Sequence, residues 1–255
     1  MSHPRSQRPL LSVCMAAYNG ARFIREQAGS VLRQLEPEDE LIVADDASQD
    51  ETVSILEGFG DPRVHVLRHA QNSGVTRAFE SALRQANGEI IFLCDQDDVW
   101  REDKVRRVLA VFENSPCTTL VLTNGELMDA QGCSLGEMLH TGARLPLGAA
   151  ANLIKNRYQG STMAFRREIL EAVLPFPEGI PMHDSWIGIV NALVGKAAYL
   201  PQSLILYRRH PGNATSRQHG PMRKMIAQRW SLLRALASRR KALAQARESL
   251  RTAQA

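Results

Sequence analysis

At 255 residues, 44% apolar and 23% charged, the chain has the composition of an ordinary globular protein, long enough for one large domain or two small ones. No apolar run of about 18 residues occurs, which argues against a transmembrane helix. The polar, basic residues 1–9 lack the apolar core of a secretory leader, so a disordered N-terminus and a cytoplasmic location are expected. The net charge of +4 hides a split: residues 221–255 hold nine Lys/Arg and one Glu, or +8, and the remainder sums to −4.

Strand and helix signals alternate from residue 10. An apolar run at 10–17 ends in the turn Tyr18-Asn19-Gly20, and residues 22–35 have helical spacing closed by Pro37. A second strand at 41–44 runs into Asp45-Asp46-Ala47-Ser48. A helix at 52–59, a short strand at 64–67 and a helix at about 75–86 follow, the last opened by Gly74 and stopped by Asn87-Gly88. The apolar residues 89–94 then deliver Asp95-Gln96-Asp97-Asp98. Such alternation predicts an α/β fold with a mostly parallel sheet flanked by helices. Ligands of such sheets bind at the carboxyl ends of the strands, where three polar turns fall here. Beyond residue 118 a strand at 118–123, weak periodicity at 130–158, a strand at 159–165, helices at 167–173 and 185–193, and a strand at 197–207 are expected. The four cysteines show no C-x-x-C spacing and read as reduced, buried residues, and the sequon at Asn213 reads as chance.

Three carboxylates within four positions repel one another unless a cation lies among them. Mg2+ or Mn2+ suits such oxygen ligands and is commonly shared with a substrate phosphate. The competing reading is a solvated acidic turn that caps the next helix. Neither G-x-G-x-x-G nor G-x-x-x-x-G-K-[ST] is present, so a bound nucleotide needs its charge offset by a metal rather than by a glycine-rich cradle.

Residues 12–20, Asp45 to Thr52, Asn72 to Arg77, Asp95 to Trp100 and His183-Asp184 occur in the order seen in family 2 glycosyltransferases. The chain resembles the small, non-processive, rhamnosyltransferase-like bacterial members over about residues 10–215. This resemblance implies a GT-A fold and an inverting enzyme that moves one sugar from a nucleotide-diphosphate sugar. It implies that Ala17, Tyr18 and Asn19 flank the base, that Asp46 accepts from its imide, and that Arg77 reaches the diphosphate. Uracil and thymine both offer that imide donor, so UDP- and dTDP-sugars both remain candidates. Asp95, Gln96 and Asp97 match the family's D-x-D, with Asp97 as metal ligand, Asp95 near the ribose or the metal, and Asp98 as a supporting group or helix cap. Asp184 matches the catalytic base, which removes the acceptor proton, and also suits a helix N-cap. His210, at the end of the last strand, is a further candidate for the metal or the diphosphate, alongside Arg208 or Arg209. Packing is the default for Trp100 and Trp186.

The Q-x-x-R-W of processive relatives is not matched by Gln228-Arg229-Trp230. A saccharide or lipid-linked acceptor is expected. The alternatives to this reading are a sugar-phosphate nucleotidyltransferase, whose glycine-rich N-terminal loop is missing, and a non-catalytic nucleotide-sugar-binding protein. Residues 216–255 read as a basic amphipathic helical tail, suited either to an anionic membrane surface or to packing on the body or a second subunit. Nucleic acid is not expected, because the tail has no reader motif.

Overall fold

A computed structural model describes residues 8–212 and 222–253. Residues 1–7, the sequon at Asn213 and the proposed domain boundary at 215/216 lie outside the described residues.

The strand–helix alternation is realised as β1 (Leu11–Ala17), α1 (Ile24–Leu32), β2 (Glu40–Asp45), α2 (Thr52–Glu57), β3 (Val64–Arg68), α3 (Val75–Gln85) and β4 (Ile90–Asp95). These strands lie parallel in the order β3-β2-β1-β4. β1 is buried along its whole length because helices cover both faces, which is why its sequence is an unbroken apolar run. Its side chains alternate between two cores. Cys14 and Ala16 join Ile42, Ala44, Ile91 and Leu93 beneath α3. Val13 and Met15 join Leu41, Val43 and Phe92 on the face covered by α1.

The second half is mixed. It comprises β5 (Val99–Trp100), α4 (Lys104–Asn114), β6 (Leu120–Met128), β7 (Ser134–Met138), α5 (Ala149–Ile154), β8 (Met163–Arg166), α6 (Leu170–Val173), α7 (His183–Val194) and β9 (Ala197–Arg208). The sheet continues β4-β8-β6-β9-β5, with antiparallel β4–β8, β8–β6 and β9–β5 pairs and a parallel β6–β9 pair. The two-residue β5 thereby links the Asp95–Asp98 turn to β9, bringing the residues after Tyr207 back beside it.

The basic C-terminal segment forms two helices, α8 (Met222–Ser238) and α9 (Arg240–Ala253). They pack on the body: Leu232, Ala235, Ala246 and Leu250 are buried in the core that contains α7. At the break between them, Arg239 donates to the carbonyls of Leu174 and Pro175. At the other end of the chain, Arg8 pairs with Glu36 and Asp39. Cys14 and Cys94 are buried as expected, but Cys117 and Cys133 are exposed, because each lies in a turn outside the sheet. No helix among the described residues is long and apolar enough to cross a membrane.

Candidate active site

Strand register sets the site. Ala17 lies level with Asp45 across β1–β2, and Ala16 level with Asp95 across β1–β4, so three strand ends meet along one rim. The chain leaves β1 toward β2 on one side while β4 lies on the other, and a crevice opens at that reversal. A cleft of about 280 Å³ occupies it, lined among others by Ala17, Tyr18, Asp46, Asp95, Gln96, Asp97, Gly160, His183, Asp184 and Tyr207.

Asp46 and Asp45 diverge because neighbouring strand residues face opposite ways. Asp46 lines the cleft and Asp45 does not. Asp46 accepts from the Ser73 amide (2.9 Å), the Ser73 hydroxyl (2.8 Å), the Gly74 amide (2.7 Å) and the His69 ring (2.9 Å). Burial opposes its ionisation, but these hydrogen bonds outweigh it and hold its pKa below the usual range. Its carboxylate thus shapes the loop that opens α3. Gly74 there has φ +90° and ψ 156°, a conformation essentially confined to glycine.

Tyr18 is held by its backbone: its amide donates to Gln96 Oε1 (2.8 Å), and Gln96 Nε2 donates to its carbonyl (3.0 Å). Tyr18 as a whole is 44% exposed and lines the cleft. Asn19, at φ +48°, receives a bond from the Gln49 amide (2.8 Å), is exposed and does not line the cleft. Arg77 does not line the cleft; it is half-exposed and pairs with Glu80 at 3.1 Å.

The three carboxylates have separate surroundings. Asp97 Oδ2 is 2.8 Å from His210 Nε2. Asp98 is buried, accepts from the Arg208 amide (2.9 Å), and keeps one oxygen without a hydrogen-bond partner. It does not cap a helix, since α4 begins six residues later. Burial first, then the charges of Asp97 and Asp95, raise its pKa well above the usual range. Burial, then Asp97 and Asp184, push Asp95 up to about 7.

Cations of the chain itself answer much of the repulsion. Lys104, fully buried, donates to the Ser161 carbonyl at 2.7 Å and lies 4.2 Å from the centre of the Trp100 ring. Burial lowers its pKa to about 8, against the pull of Asp98 and Asp95. Arg208 donates to the Asp97 carbonyl (2.7 Å) and to Glu26 (2.6 Å), so its guanidinium braces the turn. Gln27 Nε2 donates to the Asp95 carbonyl at 3.0 Å. Sequence reasoning missed Lys104, although a signal existed. It precedes Val108 by four residues and so falls on the apolar stripe of α4.

Asp184 lies in the first turn of α7, one residue inside a helix that starts at His183. It accepts from the Ser185 amide and, at 3.4 Å, from Asn156. Burial lifts its pKa to about 6 despite these bonds. His183 is buried against Phe79, ring centres 3.9 Å apart, with neither nitrogen hydrogen-bonded; burial depresses its pKa to about 3, so it stays neutral. Trp186 is wholly buried and donates to the Val173 carbonyl (2.9 Å), and Trp100 packs on Phe92.

Asp97 and His210 fit a divalent cation: a carboxylate oxygen and an imidazole nitrogen, in contact at the cleft, suit Mn2+ or Mg2+ in chemical type. Among the described residues no group of three or more His, Cys, Asp or Glu side chains forms a ready-made cage.

Fold and site together define an α/β protein with a carboxylate-lined cleft at the switch point of its sheet. The chain belongs to glycosyl transferase family 2, whose model matches residues 12–174. It is 35% identical to the putative teichuronic acid biosynthesis glycosyltransferase TuaG of Bacillus subtilis, over 52% of this chain and 53% of that protein. In structure it is similar to S. aureus TarS in complex with UDP-GlcNAc, with a TM-score of 0.69 and 19% identity, covering 92% of this chain and 71% of that one. It is also similar to the mannosyltransferase PcManGT of Pyrobaculum calidifontis in complex with GDP-Man and Mn2+, with a TM-score of 0.60 and 21% identity, covering 94% of this chain and 76% of that one. The chain spans 66% and 53% of the length of the first two curated relatives it matches.

Proposed function

We propose that this protein transfers a single sugar from a nucleotide-diphosphate sugar to an acceptor hydroxyl, with inversion, in the synthesis of a surface polysaccharide or glycolipid. The observation that carries the reading is one cleft lined both by Asp95 and Asp97 and by the buried Asp184. UDP- and dTDP-sugars are the donors the sequence favours; the structural neighbours hold UDP-GlcNAc and GDP-Man. Tyr18 flanks the base with its exposed side chain, Ala17 lines the cleft beneath it, and Asn19 holds the turn that presents them. Asp46 accepts from the imide in exchange for one of the bonds it receives from its own loop. Asp95 and Gln96 contact the ribose side. Arg77 reaches the diphosphate by exchanging its Glu80 contact for the phosphate charge.

Asp97, with His210 and Asp95, would hold Mg2+ or Mn2+, which would supply positive charge to offset that of the departing diphosphate. Asp184 removes the acceptor proton: with a pKa of about 6 it is ionised at neutral pH yet far more basic than an exposed aspartate. A single base on the acceptor side means direct displacement, with no covalent intermediate. The acceptor is a saccharide or lipid-linked hydroxyl, and the protein works on the cytoplasmic side of a membrane that its basic C-terminal segment contacts peripherally.

Thermal-shift titration against UDP-, dTDP- and GDP-sugars with Mn2+ identifies the donor. Asp97→Ala should then abolish the Mn2+-dependent part of donor binding. Asp184→Asn should bind the donor as the native protein does and lose transfer by about 100-fold or more. Native-like transfer by Asp184→Asn would remove Asp184 from the role of base.

A further inference from the structure

On α8, Ile226, Trp230 and Leu233 stand four and three residues apart and form one line along the helix. They are 52%, 61% and 44% exposed, while Leu232 and Ala235, on the opposite side, are buried in the core. Helical periodicity sets Arg223 and Arg234 along one edge of this line and Arg229 along the other. Ile154, at the end of α5 and 78% exposed, extends the apolar surface: its carbonyl accepts from Arg229 at 3.1 Å. An apolar strip with a tryptophan, edged on both sides by arginines and carried on a segment of charge +8, matches the chemistry of an anionic lipid surface, where rings and aliphatic groups enter the headgroup boundary and arginines meet phosphates. Among the residues lining the groove beside Trp230, Glu178 is the one acid.

We infer that this strip of α8, with Ile154, is the surface by which the protein docks on an anionic bilayer, and that docking holds the Asp184 edge of the cleft against the membrane. The orientation follows from how α8 is tied to the body. Ile154 lies two residues from Asn156, which donates to Asp184 at 3.4 Å. Ser231 donates to the Gly179 carbonyl, three residues before the cleft-lining Met182. The helix that meets the lipid is therefore strapped to both segments that approach Asp184. An acceptor presented from the bilayer surface reaches the base without leaving it, which makes the acceptor lipid-borne. This last step rests on the transferase reading; the docking does not.

The fluorescence of the chain reports directly on the strip, since Trp100 and Trp186 are 3% and 0% exposed and Trp230 is the third of three tryptophans. The full chain is sedimented with vesicles of phosphatidylcholine alone and of phosphatidylcholine with phosphatidylglycerol. It should bind the anionic vesicles, with a blue shift of Trp230 emission. Ile226→Ser/Leu233→Ser should lose binding by tenfold or more with an unchanged melting temperature. Arg229→Gln and Arg234→Gln should each cost about fivefold. Trp230→Phe should still bind but lose the blue shift, and adding Ile154→Trp to it should restore one. Equal binding to neutral and anionic vesicles would overturn the docking, as would a Trp230 already shielded in a dimer without lipid. An unshifted Ile154→Trp emission would overturn the orientation. Donor binding with Mn2+ is measured in the same variants: its absence from the native chain would sink the transferase reading and leave the vesicle result standing.

Discussion

Asp184 is a carboxylate kept inside the protein, and its environment sets both its chemistry and its cost. Burial raises its pKa from the ordinary 3.8 to about 6, so the folded state holds the proton more tightly than the unfolded state does. The stability this contributes is fully present below about pH 4 and is lost as pH rises toward 6. Asp184→Asn should accordingly be more stable than the native protein at pH 7, by on the order of 1–3 kcal/mol, and lose that advantage below pH 4. Melting temperatures at the two pH values check this; equal values at pH 7 would show that the carboxylate is not strained. Transfer by the native protein should in turn fall as pH drops below about 6, when the base is protonated. The residue types at Asp97 and Asp184 were legible in the sequence because carboxylates at strand and helix ends stand out from apolar runs. Lys104 was passed over, because a lysine in a helix reads as solvated by default, although its place on the apolar stripe of α4 pointed inward.

At the scale of elements, the loop into α3 shows how one carboxylate organises a segment. Asp46 gathers the Ser73 and Gly74 amides, and Gly74 turns the chain with φ +90°. A Cβ at Gly74 would meet no atom within 4 Å, so Gly74→Ala tests the backbone alone. It should cost on the order of 1–3 kcal/mol and weaken donor binding as the loop shifts, read by denaturant midpoint and nucleotide titration. Gly74 was visible in the sequence as a helix opener, but its partner was not, since Asp46 lies 28 residues away. The same holds for β5: two residues give no periodicity, and it exists only because β9 pairs with it.

At the scale of the whole molecule, the C-terminal helices divide their apolar residues between core and surface. Leu232 is fully buried and its neighbour Leu233 is 44% exposed. Leu232→Ala should cost about 2–5 kcal/mol, whereas Leu233→Ala should stay within about 0.5 kcal/mol. Urea titration of both variants checks this. Similar losses in the two would mean that α8 does not pack on the body with Leu232 inward. The amphipathic pattern announced helices in the segment. It did not say which apolar residues face the body, because two apolar lines run along α8 and periodicity ranks neither.

The sequence by itself determined the alternation of strands and helices, the three polar strand ends and the family the chain belongs to, because these rest on local periodicity and on residues adjacent along the chain. Only the tertiary structure decided which charges meet. It set Asp46 toward the cleft and Asp45 away, placed His210 on Asp97, buried Lys104 beneath the carboxylates, and seated α8 on the body with Trp230 outward. Those outcomes depend on contacts between residues far apart in sequence, which set the pKa values and exposure of the individual side chains.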